Sequence, residues 1–163
     1  IILALVGSNI IRLLGWRAGA LFTPLAMFST GMLFFLSHRF SSHEFFHNIV
    51  GTIDPVMLVI YFGMIQNIIT KSAKYTLFDS TKEMAYVPLE PEIKTKGKAA
   101  ADMIGGKFGK SLSSFLQHIV FIAFPGYSYV DIVDYIMVIF VVMCIVWIYA
   151  VNALNKRYLE LMK

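Results

Sequence analysis

Residues 135–151 read YIMVIFVVMCIVWIYAV, a run without one charged side chain. A helix needs roughly 20 apolar residues to cross the hydrocarbon core of a bilayer, and this run approaches that length. The whole chain shares the bias, with 58% hydrophobic and 15% charged residues and a mean hydropathy of +0.70. These values exclude an ordinary soluble domain and predict a polytopic membrane protein. Three further uncharged runs lie at 18–36, 55–70 and 111–130.

The positive charges test this interpretation independently, since they collect on the cytoplasmic side of a membrane protein. If each apolar run crosses the bilayer, thirteen of the fourteen Lys and Arg residues lie on one side and only Arg39 lies on the other. Eight of the thirteen belong to the stretch from Lys71 to Lys110. The net charge of +4 therefore follows from topology, and we expect the lipid bilayer, not nucleic acid, as a partner.

The order of these runs predicts an all-α fold that forms part of a longer membrane protein. Residues 1–11 resemble the end of a span entered midway, and Gly15 permits a tight cytoplasmic turn over Arg12–Arg17. About four complete spans and the end of another are expected. The predicted spans are 1–11 (partial), 18–37, 55–70, 98–124 and 134–152, with a cytoplasmic connector over 71–97.

The connector contains one local helix signal. Ser80 and Glu83 have the spacing of a capping box, in which the first residue caps the helix and the second reaches back to it. Pro88 would end such a helix. We therefore expect a short surface helix over 81–86.

Residues 43–47 read HEFFH, which matches the HExxH signature of zinc proteases. On a helix this spacing would place His43 and His47 one turn apart around a metal ion, with Glu44 beside the bound water. The motif lies in a connector between spans, and no third ligand motif follows it. We therefore expect ordinary histidines and no metal or cofactor, with an intramembrane metalloprotease as the alternative.

The stretch GGKFGKS at 105–111 ends like a phosphate-binding loop. A Walker A loop needs a further glycine where this chain has Ile104, and no strand precedes it, so nucleotide hydrolysis is not expected. Flexible glycines would still let the backbone approach a ligand. Lys107 and Lys110 share a helical face, and they suit either phosphate binding or anchoring at the lipid headgroups.

Polar residues within the predicted spans form two stripes. Lys110, Ser114 and Gln117 recur at helical spacing on one span, and Asn67 with its neighbour Gln66 lies on another. Polar side chains facing lipid are costly, so such stripes line passages or join helices by hydrogen bonds. The first interpretation predicts a passage for an anion.

The connector and the start of the next span resemble the bacterial and plastidic nucleotide transporters. The resemblance is carried by KSAKYTLFDSTKEMAY at 71–86, Pro88-Leu, KGKAA at 96–100, Asp102 and GKS at 109–111. These are the ATP/ADP translocases of obligate intracellular bacteria and plastids. The motif match covers about forty residues, and the flanking spans agree in order and sidedness.

The resemblance implies a major-facilitator-like transporter of about twelve helices, with this chain in its C-terminal half. It implies that Lys110 binds phosphate, and it adds Lys107, Lys71 and Asp102 to the candidate substrate-binding residues. The expected partners are ATP and ADP, with or without phosphate, and the N-terminal half of the same transporter. Exchange without hydrolysis is the expected activity, with net proton-coupled import as the alternative. The expected location is the inner membrane of an intracellular bacterium or the plastid inner envelope.

Overall fold

The computed structural model of the chain describes residues 2–41, 54–126, 128 and 131–162. Every regular element within these ranges is helical, which confirms the all-α prediction. Two single turns of π-helix, Lys74–Phe78 (the first π turn) and Ala101–Gly105 (the second π turn), join α-helices end to end. The α-helices of the described residues are α1 (Ile2–Phe40), α2 (Pro55–Ala73), α3 (Asp79–Ala85), α4 (Pro91–Ala100), α5 (Gly106–Ala123) and α6 (Val133–Leu161).

α1 is bent at Gly15, whose φ of 81° and ψ of 172° lie outside the helical region. A positive φ of this size is readily adopted by glycine and strained for other residues. Beyond the bend the chain approaches itself, so that a Cβ on Gly19 would lie 2.8 Å from Cγ1 of Ile11. The turn expected over Arg12–Arg17 is therefore present as a bend at Gly15.

α2 continues through the first π turn into α3, so the helix runs past Thr70, the predicted end of the span. The stretch Val56–Ala85 contains 30 residues, which is roughly 45 Å of helix. A bilayer core is roughly 30 Å thick, so this helix is long enough to project beyond the membrane. The helix expected over 81–86 is consequently not a separate surface element but the end of this one.

The capping box predicted for Ser80 and Glu83 is also wrong, because the residue before α3 is itself helical. Ser80 Oγ donates a hydrogen bond back to the carbonyl of Thr76 at 2.9 Å, and Thr81 Oγ1 donates to the carbonyl of Leu77 at 2.8 Å. A π turn disturbs the regular pairing of helical carbonyls, and hydroxyl groups one turn later can bond to them. Both side chains thus bond backwards within a continuing helix instead of capping a new one.

The third helical segment begins at Pro91 rather than near residue 98, and it runs through α4 and the second π turn into α5. Proline suits the first turn of a helix, where its missing N–H would have no partner. α5 ends at Ala123, and Gly126 has a φ of 94°. The helix therefore stops where Pro125 and Gly126 predict.

Three stretches of the described residues are long and apolar enough to cross a membrane: Gly15–Phe40, Val56–Ala85 and Val133–Leu161. They overlap three of the four complete predicted spans, 18–37, 55–70 and 134–152, whose bounds in the membrane stay predictions. α5 is not among them, because its 18 residues include two lysines, a glutamine and a histidine. The span 98–124 and the partial span 1–11 stay predictions.

α1 is the central helix, and α2 and α6 pack against it. Two glycines permit the close approach. A Cβ on Gly63 would lie 3.3 Å from the ring of Phe34, and the ring of Phe140 lies directly over Gly31. Phe140 also contacts Phe35, with ring centroids 5.4 Å apart. Lipid is as apolar as the helices, so packing at small residues of this kind stabilises their association.

Helix ends predicted on the same side of the membrane lie together. At the end predicted as cytoplasmic, Trp16 Nε1 donates a hydrogen bond to the carbonyl of Thr81 at 2.8 Å, and its ring stacks on Tyr158 with centroids 5.0 Å apart. At the opposite end, Arg39 and Asp134 form an ion pair of 3.3 Å. The structure agrees with the predicted pairing of ends, and the assignment of one end to the cytoplasm stays a prediction.

Gly31→Ala should weaken the packing of α6 on α1, because the added Cβ would overlap the ring of Phe140. Overpacking of this kind costs about 1–3 kcal/mol, which we expect as a lower free energy of unfolding of the full-length protein in detergent. In a Phe140→Ala background the same substitution should cost less, because the ring that meets the new Cβ is absent. Gly97→Ala is the matched control, since nothing lies within 4 Å of a Cβ there. Equal stability of the variants at positions 31 and 97 would contradict the prediction.

Candidate functional site

α5 presents one exposed polar face, which is made by Lys107, Lys110, Ser114 and Gln117. These residues are three or four positions apart, so the helix places them one above another. The structure therefore confirms that they share a face. Within the described residues, neither lysine has a hydrogen-bond or ion-pair partner.

A second face of α5 is directed towards α6. Side chains of the two helices line a partly open cavity of about 260 Å³, with Leu112, Leu116 and Val120 on one side and Ile136 and Ile139 on the other. The polar face borders this cavity through Gln117, which also lines it. α5 therefore contacts α6 loosely and through apolar groups.

The third face of α5 is apolar and exposed. Phe108 and Phe115 are each 62% exposed, and Ile122 is 78% exposed. Apolar side chains of this size suit contact with lipid, whereas lysines facing lipid are costly. We therefore expect this face to contact the bilayer and the polar face to line an aqueous passage.

The polar residues of α2 lie near its end at the first π turn. Asn67 and Lys71 are exposed and one helical turn apart, and Gln66 beside them is half-buried. Asn67 also lines an open groove with Gly63. One turn of α2 thus offers amide groups and a positive charge on adjoining positions.

The structure does not bring the two polar stripes together. α2 packs against α1, whereas over the described residues α5 is not closely packed against either α1 or α2. The stripe on each helix is left largely exposed. The passage predicted from the sequence is therefore not closed by the described part of this chain.

The glycine-rich stretch at 105–111 is helical, which excludes the loop that a Walker A motif forms. None of its glycines has a positive φ, and nothing lies within 4 Å of a Cβ at Gly105, Gly106 or Gly109. The expectation that these glycines let the backbone approach a ligand stays a prediction. In a helix the N–H groups are largely engaged by helical carbonyls, so phosphate recognition must come from side chains.

Asp102, in the second π turn, forms an ion pair instead of pointing freely from the helix. Its Oδ1 lies 2.7 Å from Nζ of Lys82 in α3. A second pair joins Glu83 to Lys98 at 2.7 Å. Sequence reasoning missed both pairs because residues 20 and 15 positions apart have no periodic relation. The only signal was the alternation of charges in the connector.

A further contact that the sequence did not predict joins α1 to α6. Arg17 donates from Nε and Nη2 to Oδ1 of Asn152, at 3.2 and 2.8 Å. The amide nitrogen of Asn152 in turn donates to the carbonyl of Ile148 at 2.9 Å. This contact ties the bend of α1 to α6.

The HExxH motif at 43–47 lies outside the described residues. Among the residues that the structure describes, no three His, Cys, Asp or Glu side chains are grouped so as to hold a metal ion. The expected lack of a metal site stays a prediction.

The chain is similar to a set of known carriers. Residues 1–158 match the family model described as TLC ATP/ADP transporter. The "ADP,ATP carrier protein 4" of Rickettsia conorii is 53% identical over 100% of this chain and 32% of its own length. The protein of that name from Rickettsia prowazekii is 52% identical with the same coverage, and the "ADP,ATP carrier protein 3" of Rickettsia felis is 48% identical over 97% of this chain. No solved structure matches. The chain thus spans about a third of the length of these relatives.

The division of α5 into faces predicts different reactivities at adjacent positions. In the full-length protein with Cys144→Ala, Ser114→Cys should react with a membrane-impermeant maleimide, because it lies on the polar face. Phe115→Cys should react far more slowly, because lipid shields it. Alkylation rates measured by mass spectrometry check this, and equal rates at 114 and 115 would contradict the assignment of faces.

Proposed function

The chain belongs to the TLC ATP/ADP transporter family, and from this premise we propose that its protein exchanges ATP for ADP across a membrane. The relatives are named ADP,ATP carriers. Family membership and the membrane-capable helices support a transporter rather than a hydrolase. The proposal extends this to strict exchange, in which one nucleotide enters as another leaves.

The observation that carries the proposal is the pair of lysines without partners on the polar face of α5. Lys82, Lys96 and Lys98 each lie no more than 2.7 Å from a carboxylate. Lys107 and Lys110 have no such partner within the described residues. Unpaired lysines on a membrane helix are costly unless water or an anion reaches them. Phosphate groups are suitable anions, since they accept charged hydrogen bonds.

We assign the phosphate contacts to the two lysines and the neutral contacts to their neighbours. Lys110 makes the main phosphate contact, and Lys107 makes a second one a turn away. Ser114 and Gln117 continue the same face and offer hydrogen bonds to the rest of the nucleotide. The polar residues of α2 complete this chain's share of the site: Gln66, Asn67 and Lys71. The N-terminal half of the transporter supplies the remaining contacts.

The mechanism is alternating access between two halves of a major-facilitator-like transporter. In such transporters the halves rock around a central site near the middle of the membrane. The close packing of α2 and α6 on α1 suits a unit that moves as one body, with α5 facing the passage. No bond of the nucleotide is broken, so the site needs neither a catalytic residue nor a cofactor.

Exchange of ATP⁴⁻ for ADP³⁻ moves one net charge. A membrane potential of 100 mV biases such a step by about 2.3 kcal/mol, unless phosphate travels with ADP and balances the charge. We place the transporter in the inner membrane of a bacterium that lives inside host cells, because the relatives come from Rickettsia. The plastid inner envelope is the alternative location.

Lys110→Gln in the full-length protein should reduce ATP uptake about tenfold or more, since a hydrogen bond to a charged group is worth about 1.5–3 kcal/mol. Insertion into the membrane should be unchanged. The measurement is uptake of labelled ATP by vesicles, normalised to the inserted protein. Lys96→Gln is the control, because Lys96 is exposed and pairs within α4. Near-normal uptake by the Lys110 variant would remove this lysine from the site.

The exchange itself is tested with the unmodified full-length protein in vesicles. Uptake of labelled ATP should require unlabelled ADP inside, because each inward step is coupled to an outward one. Uptake that is independent of internal nucleotide would contradict exchange and indicate net import, with protons as the coupling ion. If no nucleotide is taken up, the proposed substrate is wrong.

A further inference from the structure

The end of α5 that carries the lysines has few contacts with the rest of the protein. α4, the second π turn and the start of α5 are not closely packed on α1, α2 or α6 over the described residues. Three glycines at Gly105, Gly106 and Gly109 have no neighbour within 4 Å of a Cβ, so packing does not hold this stretch either. Glycine also weakens a helix by about 1 kcal/mol relative to alanine. The orientation of this end must depend on other contacts.

Within the described residues, the polar contact nearest the start of α5 is the ion pair between Asp102 and Lys82, at 2.7 Å. Asp102 precedes Lys107 by five residues, which is roughly 7 Å along a helix. Its partner, Lys82, lies on α3, which packs closely against the rest of the protein. Lys82 follows Thr81, whose side chain is 2% exposed and whose carbonyl accepts the hydrogen bond from Trp16. The ion pair thus connects the loosely packed start of α5 to α3, which is packed against α1.

We propose that the Lys82–Asp102 ion pair positions α5 so that Lys107 and Lys110 face the nucleotide; this inference rests on the proposed function. Asp102 then acts through the helix it orients and does not itself touch the substrate. A free carboxylate beside the phosphates would repel them, whereas one paired with Lys82 presents no unbalanced negative charge. Asp102 therefore changes from a candidate substrate contact to a positioning residue.

The second π turn explains how the Lys82–Asp102 ion pair can affect the direction of α5. A π turn adds a residue to a helical turn and so changes the direction in which all later side chains point. Asp102 lies within that turn, and the polar face of α5 begins directly after it. Holding Asp102 therefore fixes the rotation at which Lys107 and Lys110 leave the turn. The second pair, Glu83 with Lys98, limits movement along the same side.

Asp102→Asn in the full-length protein should raise KM for ATP about three- to fivefold. The increase should be modest because a partly exposed ion pair contributes little free energy. The maximum uptake rate should stay within about twofold, because only the fraction of correctly oriented binding sites falls. The double variant Lys82→Asp with Asp102→Lys should recover part of the affinity. Glu92→Gln is the matched control, since it breaks an ion pair of 2.6 Å that lies entirely within α4.

Two transport results would overturn the proposal. One is an unchanged KM in Asp102→Asn, and the other is a double variant that binds ATP no better than Asp102→Asn does. The second result would indicate that the carboxylate itself contacts the substrate.

A distance measurement tests the same proposal without nucleotide. Nitroxide labels at Phe108→Cys on α5 and Leu159→Cys on α6, in a Cys144→Ala background, should give a broader distance distribution with Asp102→Asn. Glu92→Gln should leave the distribution unchanged. If the parent transports no nucleotide, the proposed function fails and this measurement alone decides the positioning role. An unaltered distribution with Asp102→Asn would overturn it.

Discussion

The end of the bundle predicted as cytoplasmic depends on the buried hydrogen bond from Trp16 Nε1 to the carbonyl of Thr81, at 2.8 Å. Leaving either group buried and unpaired would cost about 1–3 kcal/mol, so the two must meet. Trp16 is placed by the bend at Gly15, and its ring stacks on Tyr158 of α6. One side chain therefore holds α1, α3 and α6 together. Since α3 also carries Lys82, the orientation of α5 depends indirectly on the same contact.

The first π turn makes this contact compatible with a long helix. One extra residue in a turn rotates everything beyond it by roughly 100°, so the faces of α2 and α3 are offset. Thr81 is 2% exposed after that rotation, and its hydroxyl bonds to the carbonyl of Leu77 within the turn. The hydroxyl and the carbonyl of Thr81 are thus both paired, one within the helix and the other with α1. The second π turn acts similarly at the start of α5.

Composition and single residues predicted much of this fold, while contacts between distant residues did not follow from the sequence. The helical class, the bend at Gly15 and the end of α5 depend on local chemistry, which a sequence displays directly. The error at Ser80 has a physical cause, because a hydroxyl can cap a helix or bond backwards within one. In the site, the shared face of Lys110 and Ser114 follows from periodicity. The pairing of Asp102 with Lys82 could not be predicted from the sequence, because it depends on how two helices meet.

The polarity of α5 explains both why it falls below the hydropathy of a spanning helix and why it is the best candidate for substrate contact. Its 18 residues include two lysines on one face and large apolar side chains on another. A helix of this composition is stable in a membrane only if its polar face is shielded from lipid by water, substrate or other helices. The three stretches long and apolar enough to cross a membrane are more apolar than α5, so they can tolerate lipid around more of their surface. α5 is therefore the helix whose polar face most needs water, substrate or other helices around it. A passage for an anion would supply such surroundings.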